Sequence, residues 1–376
     1  MKTSKGLTRL WIFAILLLPA CAPAATPIAT SIPASPTIAM TSTLILTATP
    51  DDTRDIGHIV ATIPVDFPSN TIAVGAGAIW LAHPDKGLVS RIDPTTNTVV
   101  AQIKVGDPTF DANRPVPAYV AVVDNQVWAS ISTTSIGEGE LVRIDPAINQ
   151  VVEHIPLGDI KYPNGSLTFQ PWVMVSDGAS LWVTDFAHSN ISRVDIQTKQ
   201  VVVTIMNVDH PALVAFDDNT LWAALHRTNS VARIDANTNT ITTTISMPLD
   251  GFGPDTVCGW CISIVAVGGG SVWASLGWGN GIARIDPTTN QVVAKIDVEG
   301  AENFVYSQGF LWVTARPENC ENGNGFLTRI DPKTNASIGK IPLDCPGGIA
   351  ADENSLWIDT SSNSNKFAIV RIQPNP

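Results

Sequence analysis

Residues 271–296 read "SVWASLGWGNGIARIDPTTNQVVAKI". The skeleton is a tryptophan, then Arg-Ile-Asp, a Pro- and Asn-containing turn, and an alternating run that ends in isoleucine. It recurs along the chain. The repeat tryptophans are Trp80, Trp128, Trp182, Trp222, Trp273, Trp312 and Trp357. The arginines are Arg91, Arg143, Arg193, Arg233, Arg284, Arg329 and Arg371. Self-similarity at this spacing marks a repeat architecture, in which each unit buries its apolar faces against its neighbours.

Each unit holds four short runs with strand periodicity, of the types "ISIVAV", "SVWASL", "GIARID" and "QVVAKID". Turn chemistry separates the third run from the fourth: "DPTTN" at 93–97 and 286–290, "DPAIN" at 145–149, "DPKTN" at 331–335. Asp caps such a turn, Pro presets φ, and Asn tolerates the left-handed conformation. The aspartate of each Arg-Ile-Asp therefore reads as a turn residue rather than a catalytic acid. Seven copies of Trp and Arg cannot all be one active site, so they read as groups that pack and pair one unit with the next. Seven four-stranded antiparallel units make an all-β fold, a seven-bladed β-propeller. The last unit ends at "IVRIQPNP" without its fourth run, whereas "HIVATIPVD" at 58–66 matches the fourth run "TVVAQIKVGD" at 98–107. The N-terminal strand is thus expected to complete the last blade and close the ring, leaving no half-blade edge exposed.

The repeat resembles that of the YVTN/YncE-like β-propellers, whose units read roughly "LWVAN…VSRIDPATNRVVATIPVG". The resemblance covers about 56–376 and implies the fold; that repeat is a scaffold in many unrelated proteins, so it implies little about activity. By pattern the chain is also similar to the virginiamycin B lyase family. That resemblance would imply His and Glu acting with a magnesium ion. Repeats of that family carry an acid three residues after the Trp, whereas this slot here is mixed: His83, Ile131, Asp185, Leu225, Leu276, Ala315 and Thr360, with Asp359 one residue before the last of them.

Spacing says where function belongs. The offset from each repeat Arg to its fourth-run Ile is twelve throughout, as in Arg91 to Ile103 and Arg284 to Ile296. The distance from that Ile to the next Trp is sixteen or seventeen at four junctions, and 25, 27 and 28 before Trp128, Trp182 and Trp273. In an antiparallel blade the first–second and third–fourth turns lie at one end. The second–third loops and blade junctions lie at the other, so every insertion falls on one face of the disc. Variable loops on a rigid scaffold are where binding sites concentrate. Trp172, Trp260 and Trp278 lie outside the repeat and belong to this face, which makes them candidate ligand-binding residues. His83, His210, His226, Asp185 and Asp359 stand at or near strand ends around the channel mouth. They are the candidates for an acid–base or metal site. The chain has no GxSxG, HExxH, phosphate-loop or dinucleotide-binding motif and no metal-spaced His cluster.

The N-terminus reads "MKTSKGLTRLWIFAILLLPAC". Three cations precede a short apolar run, and small residues precede Cys21. This resembles a bacterial lipoprotein signal, with cleavage before Cys21 and acylation of its sulfur. The segment 22–50 is uncharged and rich in Thr, Ala and Pro, the composition of a tether. The expected organisation is a signal peptide at 1–20, a tether at 21–55 and the propeller at 56–376. The net charge of −12 and the lack of a basic stripe argue against nucleic acid as partner.

Four cysteines remain. "CGWC" at 258–261 has the spacing of a redox pair, but a strand pattern follows it, not the helix N-terminus that lowers a thiolate pKa. Cys258, Cys261, Cys320 and Cys345 all fall on the variable face of an exported protein, where disulfides form. Of the three pairings, Cys258–Cys261 and Cys320–Cys345 fit the loop order best. A four-cysteine zinc site would need both loops to converge. The expectation is a lipid-anchored extracytoplasmic propeller, at the cell surface or in the periplasm. It would bind a protein, peptide or glycan through its variable face, without catalysis and without a cofactor. The alternatives are a lyase or hydrolase with a divalent metal or a His/Asp site at the channel mouth, and a scaffold of cell-envelope assembly.

Overall fold

Seven sheets, each with four antiparallel strands, follow one another along the chain in a computed structural model. It describes residues 52–106, 116–132, 139–162, 165–168, 170–248, 262–277, 281–317, 324–362 and 366–376. The chain divides into two units, Met1–Ser42 and Thr43–Pro376, and every described residue belongs to the second.

A strand β1 (Gly57–Val65) precedes the first complete blade. Blade 1 is β2 (Thr71–Gly75), β3 (Ala78–His83), β4 (Leu88–Asp93) and β5 (Thr98–Lys104). Blade 2 is β6 (Val116–Val123), β7 (Gln126–Ser132), β8 (Glu140–Asp145) and β9 (Gln150–Pro156). A separate hairpin, β10 (Asp159–Tyr162) with β11 (Gly165–Thr168), fills the long junction before blade 3. Blade 3 is β12 (Met174–Ser176), β13 (Ser180–Asp185), β14 (Asn190–Asp195) and β15 (Gln200–Met206). Blade 4 is β16 (Pro211–Asp217), β17 (Thr220–Leu225), β18 (Ser230–Asp235) and β19 (Thr240–Ser246). Blade 5 is β20 (Val265–Gly268), β21 (Ser271–Ser275), β22 (Ile282–Asp286) and β23 (Gln291–Ile296). Blade 6 is β24 (Ala301–Ser307), β25 (Phe310–Ala315), β26 (Gly325–Asp331) and β27 (Ala336–Leu343). Blade 7 is β28 (Pro346–Ala351), β29 (Leu356–Ser361) and β30 (Phe367–Pro374), with β1 as its outer strand.

The innermost strands β2, β6, β12, β16, β20, β24 and β28 each touch the next, and β28 touches β2, so the ring closes. Closure is made by β1, which pairs with β30 from Gly57↔Pro374 to Val65↔Phe367. Chain ends reinforce it. Asn375 N–H donates to Ile56 O (3.0 Å), and Arg329 donates to Asn375 O (2.7 Å) where other blades present a turn carbonyl. Asp52 bonds Lys340 (2.8 Å) and Ser337 (3.2 Å) on the outer strand of blade 6.

The repeat residues do what their recurrence implies. All seven tryptophans are buried between blades. Each faces its repeat Arg across the second and third strands, as in Trp80↔Arg91 and Trp273↔Arg284. Six of the guanidinium groups lie over that indole, 4.8–5.5 Å from the ring centroid. The same guanidinium reaches the following blade. Arg233 donates to Pro287 O (2.9 Å) and Asn290 Oδ1 (3.0 Å), and Arg371 donates to Pro94 O (2.7 Å) across the closure. The turn aspartates accept main-chain N–H groups, as Asp93 does from Thr95 (2.7 Å), and the turn asparagines adopt positive φ, 54° at Asn97 and 57° at Asn290.

Arg143 is the exception among the seven. The turn it should reach carries Lys199 where five others carry Asn, at 97, 149, 239, 290 and 335. Arg143 instead bonds Glu153 (2.9 Å), its cross-strand partner, and Lys199 bonds the same carboxylate. Partial burial of Glu153 works against ionisation, but the two cations hold its carboxyl below the usual range.

One regularity was not apparent from periodicity. In six blades the outer strand carries a bulge opposite the repeat Arg. The extra residues are Val60, Val100, Val152, Val202, Thr242 and Val293. The bulge twists each outer edge, which discourages edge-to-edge pairing. It also explains why valines at four of these positions stand exposed in an otherwise alternating strand.

Candidate functional site

The second strands deliver the slot three residues after each Trp to the variable face. His83 ends β3 and Asp185 ends β13, and both spend their polar atoms on the fold; Asp359 lies in β29, two residues after Trp357. His83 is buried, with Nδ1 on Pro68 O (2.8 Å) and Nε2 on Ser90 Oγ (2.9 Å). Burial lowers its pKa, partly offset by the Pro68 bond. Asp185 is fully buried. It accepts Gln170 N–H (3.0 Å), His188 N–H (3.0 Å) and His188 Nδ1 (2.9 Å), and so shapes the loops on both sides of it.

Asp359 takes a bond from Ser69 Oγ (2.9 Å) through Oδ2. Its Oδ1 is shut off from solvent without a hydrogen-bond partner, beside the main chain of Gly347 and Gly348. A Cβ at Gly347 would stand 2.5 Å from that oxygen, so glycine is needed there. Burial pushes the Asp359 carboxyl up to about 6, against the Ser69 bond and the nearby glycine N–H groups and Arg316. Ser69 and Pro68 belong to one connection, 66–70, which joins the closing strand β1 to blade 1. Asp359 and His83 clamp it from the two blades it bridges.

His210 and His226 meet at the mouth over blades 3 and 4. His210 has φ +44° and is 28% exposed in its side chain. Its Nδ1 lies 3.2 Å from Ser189 Oγ and 3.1 Å from Asp209 Oδ1. Phe186 contacts both imidazoles, edge-on to His210 at 5.3 Å and tilted to His226 at 5.4 Å. One nitrogen of His210 meets both oxygens, so these three residues do not form a nucleophile–base–acid relay, which needs a different ring nitrogen for each partner. Among the described residues no group of three or more His, Cys, Asp and Glu is arranged to hold a metal ion. Ser189, Asp209 and Phe186 complete this cluster. The repeat pattern did not single them out, because loops 186–189 and 207–210 bring them together.

Trp172 is the exposed aromatic of this region, with 44% of its surface accessible, where the repeat tryptophans are buried. Its main chain is held at both polar atoms. Trp172 N–H donates to Thr184 O (2.8 Å), and Ser130 Oγ donates to Trp172 O (2.7 Å). Thr184 precedes Asp185 and also reaches Ala212 O (3.5 Å). Trp260, Trp278, Cys21, Cys258, Cys261 and Cys320 lie outside the described residues. Cys345 is buried at the junction of blades 6 and 7. The sole helical element among the described residues is the 3-10 turn Pro84–Lys86, and no described helix is long and apolar enough to cross a membrane.

No family model matches the chain. No curated protein matches it either. Solved structures do. A structure described as streptogramin B lyase superimposes with a TM-score of 0.62 at 18% identity, over 84% of this chain and 97% of that one. BamB from Moraxella catarrhalis superimposes with a TM-score of 0.53 at 14% identity, over 85% of this chain and 100% of that one. At such identities the likeness is one of architecture: the chain is a seven-bladed β-propeller, similar in fold to streptogramin B lyase and to BamB.

Proposed function

We propose that this protein is a lipid-anchored, extracytoplasmic propeller that binds a protein, peptide or glycan partner through its variable loop face, without catalysis. The observation that carries this reading is Trp172. It is a large apolar ring exposed on a main chain bonded at both polar atoms, so contact with a partner costs little ordering entropy. His83 and Asp185, two of the candidate catalytic groups, are consumed by loop bonds. The chain enters the propeller at the open third–fourth turn of blade 7, on the constant-turn face. An anchor at Cys21 and a tether over 22–50 would join the propeller at that turn. In polyproline II form such a tether would span about 90 Å. A Cys320–Cys345 staple on the binding face is proposed from loop order and from the buried place of Cys345 at the junction of blades 6 and 7. The Cys258–Cys261 pair is proposed on loop order alone.

The test uses the full chain in detergent on glycan and peptide arrays. Trp172→Ala is expected to weaken any hit at least tenfold. Arrays blank for both proteins would sink the ligand-binding reading. A stoichiometric co-purifying protein, unaffected by Trp172→Ala, would favour the envelope-scaffold alternative. Radiolabelled palmitate should enter the wild-type chain and not Cys21→Ala. A lyase reading draws on His210, whose partly exposed ring stands beside Ser189 and Asp209. Opening of a streptogramin B ring by the full chain, abolished in His210→Ala, would replace the binding reading.

A further inference from the structure

The constant-turn face carries a cavity at the junction of blades 5 and 6. In blade 3 the repeat arginine is completed by a carboxylate. Arg193 Nη2 donates to Asp177 Oδ2 at 3.0 Å, and the same oxygen accepts Trp182 Nε1 at 2.9 Å. Asp177 stands five residues before its Trp. In blade 5 that position is Gly268, and Trp273 Nε1 turns to the glycine carbonyl (3.2 Å). Arg284 has Nε on Ser271 Oγ (2.8 Å) and Nη1 on Pro332 O and Asn335 Oδ1. Its Nη2, the nitrogen that Arg193 gives to a carboxylate, has no acceptor among the described residues, as is also the case for Arg91, Arg233, Arg329 and Arg371; what sets Arg284 apart is the cavity beside it.

A cavity of about 510 Å³ opens at this arginine, between blades 5 and 6. Arg284, Tyr306, Phe310, Asp331 and Lys333 line it, with Gly269 and Gly309 leaving room. Tyr306 is its wall because the turn has no side chains. A Cβ on Gly268 would lie 2.2 Å from the Tyr306 ring, and one on Gly269 would lie 2.5 Å from its hydroxyl. Blade 1 also has glycine in this slot, and there an aliphatic side chain, Val122, covers Gly75 at 2.7 Å from where a Cβ would be, in the place that Tyr306 takes over Gly268. One oxygen of Asp331 is spent on Lys333 N–H (2.8 Å). Among the described residues the Lys333 ammonium has no ion pair and the Tyr306 hydroxyl no hydrogen-bond partner.

We propose that this cavity binds a small aromatic carboxylate. The ligand carboxylate takes the part against Arg284 Nη2 that Asp177 plays against Arg193. Lys333 and the Tyr306 hydroxyl are further donors, and Tyr306 and Phe310 flank the ligand ring. The volume suits a small molecule, and charge-assisted bonds to a guanidinium are the strong kind. The site stands apart from the partner-binding face and does not depend on that reading.

The experiment is calorimetric titration of the full chain with 2-naphthoate, with neutral 2-naphthamide and inorganic phosphate as comparisons. One saturable naphthoate site is expected, with both comparison compounds at least tenfold weaker. Lys333→Glu should weaken naphthoate at least tenfold, and Tyr306→Phe about threefold. Lys333 is exposed, and the second change keeps the ring that packs on Gly268, so both variants should fold. No naphthoate binding at millimolar concentration, phosphate binding as tight as naphthoate, or unchanged affinity in Lys333→Glu would each overturn the proposal.

Discussion

Asp359 shows how one residue can link the channel mouth to the stability of the ring. Its carboxyl sits at about 6 in the fold against an ordinary 3.8, because burial opposes ionisation. The folded state therefore holds a proton that the unfolded chain releases between those values. The resulting stabilisation is complete below 3.8 and disappears as pH rises through about 6. Asp359→Asn should raise the melting temperature at pH 8 and leave it nearly unchanged at pH 3.5. An equal shift at both pH values would show that the carboxyl's ionisation is not the cause. Trp172 is the opposite case, an exposed side chain outside the buried repeat positions. Trp172→Ala should change stability by no more than about 0.5 kcal/mol, as surface substitutions do, while a repeat change such as Trp273→Ala should cost about 3–5 kcal/mol.

At the scale of the element, the third–fourth turn is the joint between blades. Asn290 combines a φ of 57° with acceptance of Arg233 from the preceding blade at 3.0 Å. Left-handed backbone costs a β-carbon residue about 1–2 kcal/mol, and a hydrogen bond adds about 1 kcal/mol. Asn290→Ala should therefore destabilise by about 2 kcal/mol in urea unfolding. Asn290→Gly should recover roughly half of that by relieving the backbone. Equal losses in the two variants would place the whole effect in the lost Arg233 bond. Lys199 occupies the corresponding position with φ 60° and serves Glu153 instead. The turn tolerates that exchange because Glu153, opposite Arg143, supplies the acceptor the turn lost.

At the scale of the molecule, the ring depends on β1. Ile63 is buried in the seam of blades 7 and 1, whereas Val60 is the exposed bulge residue three positions earlier. Ile63→Asp should cost more than about 3 kcal/mol and promote association through an unpaired blade edge, read by unfolding and size exclusion. Val60→Asp should be nearly silent. The seven blades, their order, the closing strand and the roles of Trp, Arg and turn Asp were all legible in the sequence. Each is a local pattern repeated seven times, and a repeat exposes what packing requires of every copy. The bulges were not legible, because an inserted residue shows only against the register of a partner strand. Nor was the candidate site. His83 and Asp185 look as open as His210 when read as positions three residues from a Trp or beside a strand end. Only the fold shows which loop carbonyls and N–H groups come near enough to consume them. The blade 5–6 cavity is the clearest instance. A glycine five residues before Trp273 looks like an ordinary turn residue in the chain. The packing of Tyr306 from the next blade over Gly268, with no carboxylate on Arg284, decides that an opening forms there. The sequence by itself determined the architecture because periodic burial is local chemistry. The tertiary structure decided the sites because they are made where unlike blades meet.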